Sequence, residues 1–167
     1  MLNVNKIEKL SHLSFQVKKF LQFYPWKNCS PKNSTNLLKK INECNVAIVS
    51  SAGLVIHNQQ EPFDSKIKFG DYSYRVIPSN IKANNLREYQ KSRGVDHSGI
   101  IENPFSAMPI PHLSDLRREG FIKSVNKRHI SIMGSTINTS KLINQTIPEI
   151  INILTSDQVD IVIMIPV

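Results

Sequence analysis

Three side chains of this sequence have the types that nucleophilic hydrolysis needs: Ser51 as nucleophile, His97 as base and Asp71 as orienting acid, whose order along a chain is unconstrained. Nothing around Ser51 has the pattern of a nucleophile elbow, so a hydrolase is not the leading reading. The two cysteines, Cys29 and Cys44, fall in a loop and at the end of a short expected helix, away from strand tips, and both read as inert thiols. No CxxC or Cys/His cluster has metal-ligand spacing, so no metal is expected. His97 directly follows Asp96, so their side chains need not face each other; it is either a site residue or a loop-stabilising histidine. Two turns of small residues, Ser51-Ala52-Gly53-Leu54 and Gly134-Ser135-Thr136, each follow an apolar run. They are either places where a ligand meets the backbone or tight loops, and the first lacks the full glycine pattern of a dinucleotide fingerprint.

Elements must bring these residues together, and apolar periodicity predicts them. Residues 46–50 (VAIVS) and 129–133 (HISIM) are short apolar runs with polar borders, expected as buried strands; 71–78 (DYSYRVIP) reads as a more peripheral strand. Residues 159–167 (VDIVIMIPV) are almost wholly apolar and β-branched, which predicts a central strand of a parallel sheet, buried on both faces. Helical spacing predicts an amphipathic N-terminal helix over about 5–23, a short helix through Leu37, Leu38 and Ile41, a helical turn carrying Leu86 and Tyr89, a helix over 113–119 closed by Gly120, and one over 141–154 with Pro148 in its stronger half. Residues 24–35 form a connector, on which Trp26 is expected to pack; 57–70 read as a surface loop. Residues 95–111, with three prolines, are a loop shaped by function or a short strand with a long approach. The helix before the last strand makes the second half of a right-handed βαβ unit. The expected fold is a single α/β domain, residues 1–167 with a core over 36–167, built on a mostly parallel, Rossmann-like sheet with helices on both faces. Ligands of such sheets sit beyond the carboxyl ends of the strands.

Bulk properties narrow the classes. The 167 residues suit one domain, and 40% apolar with 20% charged residues is ordinary for a soluble globular protein. The net charge of +8 comes from scattered pairs such as Lys18-Lys19 and Lys127-Arg128, without a run or an aromatic platform, so a solvated basic surface rather than nucleic-acid binding is expected. No stretch reads as a signal peptide or a membrane span, and a reducing cytoplasm follows as the expectation.

Taken in order, SSAGL, GDYSYRVIPS, DHSG with NPFSAMPI, RHISIMGS, and PEI followed by VDIVIMIPV resemble the selenoprotein B subunits of glycine, sarcosine and betaine reductase and of D-proline reductase. The similarity reaches back to YPWKN and covers most of the chain from about Tyr24 onward. The ordered set is specific, although no single motif decides it. One segment departs from the family pattern: Asn103-Pro104-Phe105 and Met108-Pro109 stand where relatives tend to show Asp-x-Asn before Phe-Pro, so substrate contacts there are expected to differ.

The resemblance implies an α/β oxidoreductase that cleaves a carbon–nitrogen bond reductively. A selenocysteine, or a cysteine in some relatives, attacks the carbon bearing the amine, and thiols regenerate it; the low pKa of a selenol keeps it anionic and nucleophilic. The implied reductant is a thiol, with no other cofactor and no metal. The implied partners are a small amine or amino-acid substrate, other reductase subunits or further copies of this chain. In the family the nucleophile lies just after the strand equivalent to 159–167, so here it is expected next after Val167. Selenocysteine is encoded by UGA, and an expected truncation at that codon competes with a naturally short protein that has lost the nucleophile and keeps a binding or assembly role. The site expected at the strand tips comprises Ser50, Ser51 and Gly53, Arg75 and Ser79, His97 and Asn103, Gly134 and Ser135, and Pro166. Backbone near Gly53 and Gly134 would hold a substrate carboxylate, Arg75 would pair with it, and His97 would protonate the departing amine.

Overall fold

In this computed structural model the structure describes residues 14–23, 35–68, 70–90, 96–134, 136 and 139–167. The first part of the expected N-terminal helix, most of the connector with Trp26 and Cys29, and Ser135 lie outside the described residues. The chain forms two compact units, Met1–Asn36 and Leu37–Val167. Of the first, the described part is helix α1, Phe15–Phe23, whose entry is capped by the Ser14 hydroxyl accepting from Val17 N–H.

The second unit is α/β, built around β1 (Asn45–Ser50). Its residues from Val46 to Ser50 are all buried, because strands flank both edges and helices cover both faces. The strands are β2 (Leu54–Ile56), β3 (Tyr74–Pro78), β4 (Leu86–Glu88), β5 (Ser124–Val125), β6 (Arg128–Ile132) and β7 (Ile161–Ile165). β5 and β6 pair in parallel with one edge of β1 and β7 with the other, while β3 pairs antiparallel with β6 at the far side. β2 and β4 form a separate antiparallel ladder. The main sheet is therefore mixed, with three parallel pairings and one antiparallel: β3 returns after the 57–70 loop without a crossover helix, and a direct return must run antiparallel.

Helices α2 (Ser98–Glu102) and α3 (Ile110–Arg118) bury Ile100, Ile110 and Leu113 against Val46, Ile48, Ile77 and the β2–β4 ladder. On the opposite face α4 (Ile147–Ser156), entered through a π-type turn at Leu142–Thr146, packs Ile150, Ile153 and Leu154 onto Val49, Ile130, Ile132, Tyr74 and Val76. Gly120, at φ +78°, ends α3 as expected, since that left-handed conformation favours glycine.

Three expectations are corrected. β7 is an edge strand: its paired strand is β1 alone among the described residues, and Val162 and Met164 are exposed. Leu37, Leu38 and Ile41 form no helix beyond a single 3₁₀ turn at Ile41–Glu43, and all three are exposed, so no packing supports a longer one. Leu86 lies on strand β4, because its neighbour β2 offers ladder partners for a segment too short to show a period.

The ladder between β1 and the β5–β6 strand is interrupted. Val46 pairs with Val125 and Val49 with Ile130, so five residue steps oppose three. The two extra residues are accommodated after Asn126, whose N–H still donates to Val46 O at 2.8 Å, and the His129 ring enters the gap, its Nδ1 accepting from Ile48 N–H at 3.1 Å. Burial pushes the His129 pKa down to about 4, so the ring is neutral with its proton on Nε2, an atom without a partner among the described residues.

The amino-terminal pole of the sheet is tied by a polar network. Arg128 grips Asp157 with two charge-assisted bonds of 2.8 and 2.7 Å, Asn126 donates to the same carboxylate at 3.0 Å, and Asp160 accepts from Asn45 N–H while pairing with Lys39. The Arg128 guanidinium draws the Asp157 carboxyl down to about 2. Asp157→Ala is expected to cost about 2 kcal/mol in urea denaturation at neutral pH, because it strips a partly buried guanidinium and an amide of their acceptor. A loss below about 0.5 kcal/mol, the size of an ordinary surface change, would show the network to be dispensable.

Candidate functional site

At the opposite pole β1, β6 and β7 end together. Ser51 N–H donates to Ile165 O at 3.0 Å, Gly134 N–H to Ser51 O at 2.8 Å and Gly53 N–H to Ile132 O at 3.0 Å. The chain leaving β4 joins them when Tyr89 N–H donates to Gly53 O at 3.0 Å, which brings the next side chain, Gln90, into the middle. Gln90 Oε1 accepts from Gly134 N–H at 3.2 Å, and its Nε2 donates to the Val167 main-chain oxygen at 3.5 Å. The Ser51 hydroxyl accepts from Val167 N–H at 2.9 Å and lies 3.4 Å from the Val167 oxygen. Both glycines make room for Gln90. A Cβ on Gly53, itself at φ +64°, would stand 3.2 Å from the Gln90 nitrogen, and one on Gly134 would stand 3.0 Å from either end of the Gln90 amide. Chemically the cluster fixes the direction in which the backbone runs past the tip of β7.

A second feature lies beside it. At the end of β4 the Glu88 carboxylate, 5% exposed, meets His97 Nδ1 at 2.5 Å and orients the ring. Glu88 also lines a cleft of about 570 Å³ with Leu86, Arg87, Ile100, Glu102 and Pro104. Glu88 and Gln90 are two residues apart, so one short segment supplies a polar side chain to each feature. His97 itself is not part of that lining; a histidine held by a carboxylate is equipped to pass a proton.

The structure brings Ser51, Gly53 and Gly134 together, with Pro166 exposed at the same tip between Ile165 and Val167. Ser50 is fully buried, its hydroxyl accepting from Ala52 N–H. Arg75 turns to its own loop: its guanidinium donates to Glu61 O, Pro62 O, Tyr74 O and the Ser73 hydroxyl, and lies 4.4 Å from the Phe63 ring centre. Ser79 sits beside Lys127, at the amino-terminal pole. Asn103 caps the 3₁₀ turn Pro104–Ser106 by accepting from Phe105 N–H. Asp71 is not assembled with Ser51 and His97. Burial pushes its carboxyl up, but hydrogen bonds from Ser73 and Asp64 outweigh this and hold it below the usual carboxylate range. Ser135 lies outside the described residues. Sequence reasoning missed Glu88 and Gln90; the signal for Gln90 was the pair of glycines, which mark a close approach without naming what approaches. Among the described residues no three His, Cys, Asp or Glu side chains are placed to hold a metal ion, and no helix is long and apolar enough to cross a membrane.

The family described as glycine/sarcosine/betaine reductase selenoprotein B matches residues 7–166. The D-proline reductase subunit gamma of Acetoanaerobium sticklandii is 31% identical over 132 residues, which are 78% of this chain and 51% of that protein. The chain thus spans about half the length of the curated relative it matches. No solved structure matches it. With that match covering almost all of its length, the chain belongs to the glycine/sarcosine/betaine reductase selenoprotein B family.

Proposed function

We propose that this chain is part of a thiol-dependent reductase that cleaves a carbon–nitrogen bond of a small amine or amino acid, and that β7 presents the attacking residue just beyond Val167. The observation that carries this reading is the clamp of Ser51 and Gln90 on Val167, backed by Gly134, at the carboxyl ends of the parallel strands. A nucleophile needs a fixed line of attack, and a clamp on the residue before it supports such a reading.

The chemistry balances with thiols as the electron source. The anionic selenium or sulfur attacks the carbon bearing the amine; a selenium–carbon or sulfur–carbon bond forms, the carbon–nitrogen bond breaks, and the amine leaves with that pair and gains a proton. A thiolate then attacks the selenium or sulfur, the carbon keeps the bonding pair and is protonated, and a second thiol releases the nucleophile. One carbon–nitrogen bond is reduced and two thiols become one disulfide. In this reading His97, oriented by Glu88, protonates the amine, Arg75 acts by holding the loop over the sheet, and Gly53 and Gly134, whose own N–H groups bond to Ile132 O and Ser51 O, act by shaping the strand tips rather than by holding a substrate carboxylate. A cytoplasmic setting, which keeps thiols reduced, fits this chemistry. The relative's designation as a subunit supports partner subunits.

The test uses the natural gene product, with its selenium content measured, incubated with a dithiol and in turn glycine, sarcosine, betaine and D-proline. Thiol oxidation that depends on one of these substrates and matches its cleavage one to one is expected. If a preparation carrying selenium or cysteine after Val167 oxidises no thiol with any of them, the reductase reading fails and a binding or assembly role stands in its place.

A further inference from the structure

Among the described residues, the unit Leu37–Val167 leaves one side of its sheet open, and the opening has a definite shape. Residues paired across a parallel ladder point to the same face, so Val162 and Met164 of β7, partners of Ala47 and Val49, lie on the face that α4 covers. Met164 is 64% exposed and Val162 37%. On α4 and the turn before it, Ile143, Ile147 and Ile151 recur every four residues and are 54%, 38% and 54% exposed, which makes one apolar stripe. The opposite flank of the helix is tied towards β3, since the Thr146 hydroxyl donates to Tyr72 O and Glu149 bonds to Tyr74. The isoleucine stripe therefore faces β7, and the two apolar surfaces meet at an angle as the floor and one wall of a trough. Beside the floor runs an open strand edge. Ser51 N–H bonds to Ile165 O, so by ladder alternation the N–H and C=O groups of Val162 and Met164 point outward from the sheet. No charge or proline interrupts β7 itself, although such residues are the usual guards of an edge.

We propose that this trough and edge dock a strand–helix segment, the strand extending the sheet in parallel beside β7 and the helix lying between the isoleucine stripe and Met164, and that the segment is the one supplied by the part of a selenoprotein B-type subunit that this chain does not span. The matched relative is about twice as long as the region it shares with this chain, so it carries further chain that could supply such a segment. Spacing argues against a second copy. α4 sits over β6, and pairing β7 with its counterpart would place the two α4 helices five strand spacings, about 24 Å, apart, whereas helices in contact lie about 8–10 Å apart. A dimer would leave a gap one helix wide above Met164. The proposal rests on family membership and not on the chemistry proposed above, so the two fail separately.

The test mixes the full 167-residue chain with a polypeptide comprising the unmatched part of the Acetoanaerobium sticklandii subunit, and reads light scattering and amide hydrogen exchange. Expected is a one-to-one complex in which exchange at the Val162 and Met164 amides slows at least about 100-fold. Met164→Glu and Ile147→Glu, both at exposed positions, should abolish the complex while leaving the far-ultraviolet spectrum of the chain unchanged. Three results overturn the proposal: no complex, a complex that survives both substitutions, or a homodimer of the chain that already protects the β7 amides.

Discussion

Between pH 7.5 and 4, His129 alone is expected to lower stability by about 3 kcal/mol. The folded ring resists protonation until about pH 4 because it is buried, whereas in the unfolded chain it takes a proton near pH 6.5. Between those values the unfolded state binds one proton more, so stability is complete above pH 6.5 and declines as the pH falls towards 4. The carboxylates Asp71, Asp157 and Asp160 are all shifted below 3.8, so their contribution begins to fall from about pH 5 and is lost mostly below pH 4. Urea denaturation of the chain across this range, beside His129→Gln, isolates the term. Glutamine can still accept from Ile48 N–H but does not titrate, so the variant's profile should be flatter by about 3 kcal/mol between pH 7.5 and 4. Identical slopes would mean that the ring is not held neutral in the sheet.

If His97 protonates the departing amine as proposed, His97→Gln is expected to lower kcat by about 100-fold and to leave KM nearly unchanged, the signature of lost proton transfer without lost binding. Glu88→Gln produces a smaller fall through the same step, because its role is to hold the ring at 2.5 Å. The double variant is no worse than His97→Gln alone, since a positioning residue has nothing left to position. Wild-type turnover in His97→Gln would take the histidine out of the reaction. Additive losses would instead give Glu88 an independent contact with substrate.

What the sequence made legible follows from how local each signal is. The apolar runs at 46–50, 129–133 and 159–167 announced β1, β6 and β7, and Gly120 announced the end of α3, because burial and backbone conformation act on the residues themselves. The edge position of β7 was illegible: a run such as IVIMI reads alike whether a neighbour covers it in the same unit or comes from elsewhere. Nor could sequence separate two uses of Arg75, since loop carbonyls and a substrate carboxylate offer a guanidinium the same kind of oxygen. Turn chemistry singled out Ser51, Gly53 and Gly134, which the fold brings together at the strand tips. Gln90 was hidden because a three-residue strand, β4, carries too few residues to show which way its last side chains turn.

The hub role of β1 also bears on how the protein is made. Its neighbour β7 lies 115 residues later, since Val46 pairs with Ile161. On a ribosome adding about 5–20 residues per second, the finished β1 waits on the order of ten seconds for that partner to be synthesised. Throughout that interval VAIVS offers a bare hydrogen-bonding edge to any other strand nearby. Nascent chains on neighbouring ribosomes pass through the same interval, so slowing translation between Ser50 and Ile161 is expected to lower the soluble yield more than slowing it before β1.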